Sequence, residues 1–299
     1  MELVHQDEAL MVERLPGEGR RLVVAVSGIG HGFGGLQRAE FAGTAADGGQ
    51  NTVLFVTDRR RSWFTAEGIV ARIAGLVQGE LARMGLPACH TIGNSMGGYG
   101  AIRLAREMPV AVALAFSPQA SMDPARIDEQ RWPEHRPAIV LDRHLPLSAC
   151  LVPQTQHYAV FGAASRIERA HRALLPDVPH LTCLMLSGGG HNIVRILKGS
   201  GHLVPLVAAA MDDDAARVAA VTAEFAAAVA PPAGLTAPPV RGCRRCGSGP
   251  RDAGRPAHSW PCRRRRHARS RSAGRTPRPV RRPVRRVATT SPGAAPSLP

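Results

Sequence analysis

Residues 88–98 read Ala-Cys-His-Thr-Ile-Gly-Asn-Ser-Met-Gly-Gly, and this stretch decides the fold class. A short apolar run at residues 88–93 predicts a strand, and residues 97–107 predict a helix. Between the two lies Gly-x-Ser-x-Gly, a spacing typical of a sharp strand-to-helix turn that lifts the serine hydroxyl clear of the sheet. Gly93 and Gly97 fit that turn because a Cβ at either position would collide with neighbouring backbone. We therefore expect Ser95 to be a nucleophile.

The chain outward from this turn alternates strand-like and helix-like segments. Further strands are predicted at residues 21–27, 52–57, 110–116, 158–161 and 181–186. Helices are predicted at residues 66–84 and 165–175, and residues 192–198 and 203–229 are also helical in pattern. Such alternation is typical of an α/β three-layer sandwich, in which a mostly parallel sheet is covered on both faces. We predict one such domain over residues 1–230.

Residues 117–156 interrupt this rhythm with six prolines and no clean period. An excursion of that length between two strands is typical of a lid or a binding insertion. The alternative is a plain surface helix with long connections.

The base that a nucleophilic serine requires is predicted after the last strand. In folds with this serine turn the histidine comes last in chain order. His191 follows Ser187-Gly188-Gly189-Gly190 and opens a helical segment, so we expect it at the carboxyl edge of the sheet, beside Ser95.

Two backbone amides are predicted to stabilise an oxyanion. The N–H of Met96 lies at the start of the helix after the serine. The second donor is expected in the loop Ser27-Gly28-Ile29-Gly30, at Ile29 first and at Gly30 next, and Gly28 would let the loop approach a substrate closely. The alternative is a flexible turn that needs only glycine.

The acid that orients the histidine is not decided by the sequence. Glu168 follows the predicted strand 158–161, but Ser165-Arg166-Ile167-Glu168 is also a capping box. Asp123 follows the strand before it, where its other role would be to cap a turn ahead of Pro124. A serine–histidine dyad without an acid is the third alternative.

These features resemble the α/β-hydrolase superfamily over about residues 10–230, and within it a group of bacterial α/β-hydrolase family proteins. The resemblance implies a mostly parallel sheet and a cofactor-free acyl-enzyme mechanism. Ser95, His191 and the oxyanion amides take their roles by position, whereas the acid does not carry over. The stretches that match are residues 26–30 (VSGIG), 57–64 (TDRRRSWF), 93–100 (GNSMGGYG), 116–119 (FSPQ) and 190–192 (GHN).

Substrate contacts are predicted at the strand end near residue 60. Arg61 could hold an anionic group of the substrate, and Trp63 could form an apolar wall beside it. A solvated turn with one structural ion pair is the alternative. Arg131 and Trp132 in the insertion form a second pair of this kind. The pattern suggests an acyl substrate with an anionic portion.

The net charge of +15 belongs to the C-terminal segment. Residues 231–299 carry 17 arginines and one acid, Asp252, whereas residues 1–230 carry 21 basic and 22 acidic side chains. The composition of the segment predicts disorder. Its arginines could bind nucleic acid nonspecifically. A zinc site is a weaker prediction, which rests on the spacing of four potential ligands, Cys243, Cys246, His258 and Cys262. We hypothesise that this segment is a frameshifted extension, because its composition is typical of GC-rich DNA translated out of frame.

The N-terminal sequence and the distribution of cysteines predict a cytoplasmic protein. Residues 1–10 (MELVHQDEAL) lack the basic and apolar order of an export signal, and no apolar run is long enough to span a membrane. Cys89, Cys150 and Cys183 are scattered through residues 1–230, which is typical of reduced thiols.

The leading hypothesis is a serine hydrolase that cleaves a small carboxylic ester or thioester and requires no cofactor or metal. A catalytically impaired binding protein on the same fold is one alternative. A nucleic-acid-associated protein that acts through its basic segment is another.

Overall fold

An eight-stranded sheet forms the centre of the chain, whose residues 1–30 and 39–230 are described by the computed structural model. The strands are β1 (Glu2–Gln6), β2 (Leu10–Leu15), β3 (Leu22–Val26), β4 (Thr52–Asp58), β5 (Cys89–Asn94), β6 (Val110–Phe116), β7 (Gln156–Gly162) and β8 (Leu181–Leu186). They lie in the order β1-β2-β4-β3-β5-β6-β7-β8. Only the β1–β2 and β2–β4 pairs are antiparallel, so the prediction of a mostly parallel sheet is confirmed.

Helices cover both faces of this sheet. They are α1 (Ala42–Ala46), α2 (Ile69–Met84), α3 (Met96–Leu104), α4 (Arg166–Ala173), α5 (Ile193–Gly199), α6 (Leu203–Met211) and α7 (Ala215–Val229). Ile73 and Val77 of α2 belong to the core on one face, and Leu206 of α6 and Phe225 of α7 belong to the core on the other. Among the described residues no single helix is long and apolar enough to cross a membrane, and α5 with α6 reach that length only as a pair bent by 109°.

The strand order and the turn after β5 identify the α/β-hydrolase fold. The central strands β3, β5 and β6 are buried nearly throughout, because helices cover both of their faces. The parallel strands bring their carboxyl ends to one edge, where the loops that carry Ser95, Glu168 and His191 begin.

The β1–β2 hairpin has no counterpart among the predicted elements. Asp7 shapes its turn, since the Asp7 carboxylate accepts the N–H groups of Ala9 at 2.7 Å and Leu10 at 2.8 Å. The hairpin pairs with β4 through β2 and forms one edge of the sheet, with β1 outermost.

The insertion between β6 and β7 contains only short 3-10 turns, at Arg136–Ala138, Leu141–Arg143 and Leu147–Ala149. No α-helix forms in residues 117–155, so the alternative of a plain surface helix does not hold. The insertion is attached to the body at several points. The hydroxyl of Thr65 accepts the N–H of Val140 at 2.9 Å, and the hydroxyl of Tyr99 donates to the Leu145 carbonyl at 2.9 Å.

Candidate active site

Ser95 lies in the turn between β5 and α3 with φ 60° and ψ −121°, a strained backbone conformation for a residue with a side chain. Glycine is required on both sides of it. A Cβ on Gly93 would lie 2.2 Å from the carbonyl oxygen of Gly97, and a Cβ on Gly97 would lie 2.1 Å from that of Val26. The close approach of β3, β5 and α3 therefore depends on the two glycines that the sequence singled out.

His191 reaches Ser95 from the loop after β8. Its Nε2 lies 3.0 Å from the Ser95 Oγ. The loop must pass close to the end of β7, where a Cβ on Gly162 would lie 2.2 Å from the carbonyl oxygen of Gly190. Gly162 therefore helps to place the histidine, although the sequence analysis did not single it out.

Glu168 lies behind His191 at the start of α4. Its Oε1 is 2.9 Å from the His191 Nδ1, and the side chain is fully buried. Only half of the predicted capping box forms. The Ser165 hydroxyl accepts the N–H of Glu168 at 3.5 Å, but the N–H of Ser165 donates to the Gly162 carbonyl. The Glu168 carboxylate is therefore available to His191.

Asp123 serves a local turn. Its carboxylate accepts the N–H of Ala125 at 2.9 Å and lies 3.6 Å from the Arg126 guanidinium. Of the two candidate acids, the structure places Glu168 at His191.

The charge on Glu168 sets the roles of the histidine nitrogens. Burial raises the pKa of the Glu168 carboxyl, but the hydrogen bond from His191 and the nearby Arg131 guanidinium outweigh burial and lower that pKa below its ordinary value. An ionised carboxylate only accepts hydrogen bonds, so the His191 Nδ1 must donate. The Nε2 of a neutral His191 is then free to accept the Ser95 proton.

The loop after β3 is anchored by two side chains. The N–H of Gly28 donates to Oε2 of Glu40 at 2.8 Å, and the carbonyl of Ile29 accepts Nε of Arg61 at 3.0 Å. Burial raises the pKa of Glu40 to about 7. Because the amide of Gly28 is engaged by Glu40, the remaining donors of this loop are the predicted Ile29 amide and the Gly30 amide. The residues that follow, 31–38, lie outside the described part of the chain.

The peptide between Ile29 and Gly30 has a defined orientation. In a trans peptide the carbonyl and the N–H point in opposite directions, so the Gly30 N–H points away from Arg61. Met96 supplies the other predicted donor. It is the first residue of α3, and the first N–H groups of a helix have no acceptor within the helix.

The turn after β4 positions Arg61, and it is built around Asp58. The buried Asp58 carboxylate accepts the hydroxyl and the N–H of Ser62, each at 2.8 Å, and the N–H of Phe64 at 3.1 Å. Three residues of the turn, Arg61, Trp63 and Phe64, have positive φ. Sequence reasoning missed Asp58, although an Asp at a strand end is typical of a turn that its own carboxylate stabilises.

Trp63 is not brought to the surface of the site. Its side chain is fully buried in the core, and its indole N–H donates to Oε1 of Gln119 at 3.0 Å. Trp63 therefore packs in the core, and it does not form the substrate wall that the sequence predicted. Arg60 pairs with Glu8 at the surface, whereas Arg61 contacts the loop after β3 through the Ile29 carbonyl.

No group of His, Cys, Asp and Glu residues that could hold a metal ion occurs within residues 1–30 and 39–230. The weak zinc site at residues 243–262 and the arginines of the C-terminal segment lie outside the described residues. Both therefore stay predictions.

Comparison with known proteins finds similarity at the level of structure. No known protein family and no curated protein matches the sequence. A serine hydrolase without a lid from Xanthomonas campestris is 18% identical, with a TM-score of 0.43, 68% of this chain covered and 87% of the other. An esterase from Thermogutta terrifontis is 13% identical, with a TM-score of 0.42 and coverage of 62% and 81%.

The glycosylation-associated Gap123 complex from Streptococcus agalactiae is 15% identical, with a TM-score of 0.47. The match covers 67% of this chain and 44% of that protein, less than half of its length. At these identities the likeness concerns the fold alone, and the fold assignment follows from this chain's own strand order.

Proposed function

We propose that this protein is a serine hydrolase that cleaves small carboxylic esters or thioesters through an acyl-enzyme intermediate. The observation that supports the proposal is the continuous hydrogen-bonded chain from Ser95 through His191 to Glu168, with distances of 3.0 Å and 2.9 Å. A serine, an imidazole and a buried carboxylate in this order are what a weak hydroxyl nucleophile needs for activation.

Acylation begins when the Ser95 Oγ attacks the carbonyl carbon of the substrate. His191 Nε2 takes the hydroxyl proton as the new C–O bond forms, and Glu168 stabilises the resulting imidazolium through Nδ1. The negative charge moves to the carbonyl oxygen, where the N–H of Met96 and the N–H of Ile29 or Gly30 stabilise it. When the intermediate collapses, the bond to the leaving group breaks and His191 returns the proton to that group.

Deacylation repeats these steps with water as the nucleophile. Water attacks the Ser95 ester, and His191 takes one of its protons. The second collapse breaks the bond to Oγ, which recovers its proton from His191. The products are a carboxylic acid and an alcohol or thiol, and the enzyme returns to its starting state.

The proposal is tested with a fluorophosphonate probe, which reacts covalently with activated serines. The full-length protein should be labelled at Ser95, and the Ser95→Ala variant should not be labelled. Labelling that persists in Ser95→Ala would point to another nucleophile. A folded wild-type protein that resists the probe and hydrolyses neither p-nitrophenyl acetate nor a small thioester would overturn the proposal in favour of a binding protein on the same fold.

A further inference from the structure

A cluster of ionisable side chains lies directly behind Glu168. It consists of Glu129 and Arg131 from the insertion and His171 from α4. Glu129, His171 and Glu168 are fully buried, and the Arg131 side chain is 24% exposed. Charges buried this deeply are costly unless each one is paired. The contacts that pair these side chains therefore indicate how the cluster acts on the Glu168 carboxylate.

Arg131 and His191 bind the same oxygen of Glu168. The Arg131 Nη1 lies 3.1 Å from Oε1, and the His191 Nδ1 lies 2.9 Å from that atom. The guanidinium thus interacts with the carboxylate through the oxygen that orients the histidine. Arg131 precedes Glu168 by 37 positions in the chain, so this contact exists only because the insertion folds back over α4.

Glu129 holds Arg131 in place from the other side. Nε of Arg131 lies 2.9 Å from Oε1 and 3.0 Å from Oε2 of Glu129, whose Oε1 also accepts the backbone N–H of Arg131 at 2.8 Å. His171 Nε2 lies 2.9 Å from Oε2 of Glu129. Burial raises the pKa of Glu129, but the hydrogen bonds from His171 and Arg131 outweigh burial and lower that pKa to about 2. Glu129 is therefore ionised at neutral pH.

The charges around Glu168 have an electrostatic consequence for His191. Glu168 is faced by Arg131 from the insertion, by His191 from the last loop and by the Ser117 hydroxyl after β6. Glu129 and His171 lie one contact further out, on Arg131. Among these side chains only Arg131 carries a permanent positive charge. Its cation favours the ionised form of Glu168, and an ionised Glu168 fixes His191 Nδ1 as the donor of their hydrogen bond.

We infer that Arg131 is a positioning residue of the triad, which acts through Glu168 and couples the insertion to catalysis. The inference rests on the proposed function, because it assigns a role within the same site. Arg131 keeps Glu168 ionised and aligned, so that its Oε1 accepts from His191 Nδ1 and His191 Nε2 is left facing Ser95.

Three variants test this role in the full-length protein. Arg131→Met removes the charge and keeps much of the volume. Arg131→Lys keeps the charge but loses the forked geometry. The double variant Glu129→Gln with Arg131→Met avoids an unpaired carboxylate at position 129, and it serves if Arg131→Met fails to fold. Arg126→Met is the matched control, since Arg126 belongs to the same insertion and contacts Asp123 at its surface.

The readout is the pH dependence of p-nitrophenyl acetate hydrolysis between pH 5 and pH 9. We expect Arg131→Met to lower kcat roughly tenfold or more with little change in KM. The acid limb of its profile should move to higher pH by about one unit, because Glu168 takes up a proton more readily without the Arg131 cation. Arg131→Lys should restore most of that shift, and Arg126→Met should match the wild type. A folded Arg131→Met protein, or the double variant in its place, with the wild-type rate and profile would overturn the inference.

A second measurement separates this inference from the proposed function. The imidazole resonances of His191 can be titrated by NMR in the wild type and in Arg131→Met without any substrate. A titration midpoint that differs between the two proteins supports the coupling even if the wild type fails to react with the fluorophosphonate probe. An unchanged midpoint contradicts the coupling even if the enzyme is active.

Discussion

The carboxylate of Glu168 had two partners within reach, the N-terminus of its own helix and a histidine 23 positions away. The Ser165 hydroxyl caps the start of the helix instead, and the Ser165 N–H donates to the Gly162 carbonyl. The carboxylate then makes its contacts with His191 and Arg131, where its negative charge interacts with groups that are or become cationic. A buried carboxylate is costly unless it is paired with a cation, which a single neutral amide N–H would not supply.

At the residue scale, Glu168 and Asp123 are predicted to behave differently. Glu168→Gln should lower the rate of p-nitrophenyl acetate hydrolysis about 100-fold to 10,000-fold, because a neutral amide neither fixes the histidine tautomer nor stabilises the imidazolium. Asp123→Asn should stay within about twofold of the wild type, since Asp123 shapes a local turn. Steady-state kinetics on both variants check this. The opposite ranking would move the acid to Asp123.

At the scale of elements, the site depends on how closely β3, β5 and α3 approach one another. Gly97 allows this approach, because any side chain there would overlap the backbone of Val26. A flexible neighbour could move aside, whereas a strand carbonyl at the centre of the sheet cannot. The strained φ of Ser95 is maintained by the same packing.

Two glycine-to-alanine changes are predicted to have opposite effects. Gly97→Ala should destabilise the protein strongly and abolish labelling of Ser95, because the new Cβ would lie 2.1 Å from the Val26 carbonyl oxygen. Gly75→Ala, in the middle of α2, has no atom within 4 Å of its new Cβ and should stabilise the protein by about 0.5–1 kcal/mol. Thermal unfolding measures both changes. A Tm for Gly97→Ala equal to that of the wild type would contradict the packing described for the turn.

At the scale of the whole molecule, the insertion is joined to the body by buried charges as well as by apolar contacts. Glu129 and Arg131 connect it to α4, while Leu147 and Cys150 are buried in the core that also contains α2 and α3. We therefore expect acid to weaken the contact between the insertion and α4 before it unfolds the core.

The contribution of Glu129 to stability is predicted to depend on pH. Its folded pKa of about 2 lies below the ordinary value of 4.5, so its stabilising effect is complete above about pH 4.5 and is lost as pH falls toward 2. Glu129→Gln should lower the free energy of unfolding by on the order of 2 kcal/mol at pH 7, and the difference from the wild type should shrink below pH 4.5.

Urea unfolding at several pH values measures this difference. Glu107→Gln is the control, because the Glu107 side chain is exposed where it pairs with Arg103, and the change should alter stability by less than about 0.5 kcal/mol. A constant difference between wild type and Glu129→Gln from pH 7 to pH 2 would rule out the buried ionised pair.

The sequence by itself determined the features that depend on neighbours within a few residues. The alternation of strands and helices follows from the period of apolar residues, and the serine turn follows from steric limits that Gly93 and Gly97 express locally. The glycine-rich loop before His191 could be predicted for the same reason, because its signal lies in consecutive residues. Each of these signals lies in one short segment of chain.

Only the tertiary structure decided between Glu168 and Asp123, since the choice depends on where α4 lies relative to the loop after β8. It also buried Trp63, which the sequence placed at a strand end as a candidate wall, and it brought Arg131 to Glu168 across 37 positions of chain. The physical reason is that burial and charge pairing depend on long-range packing, which places together residues whose local sequence carries no mark of the contact.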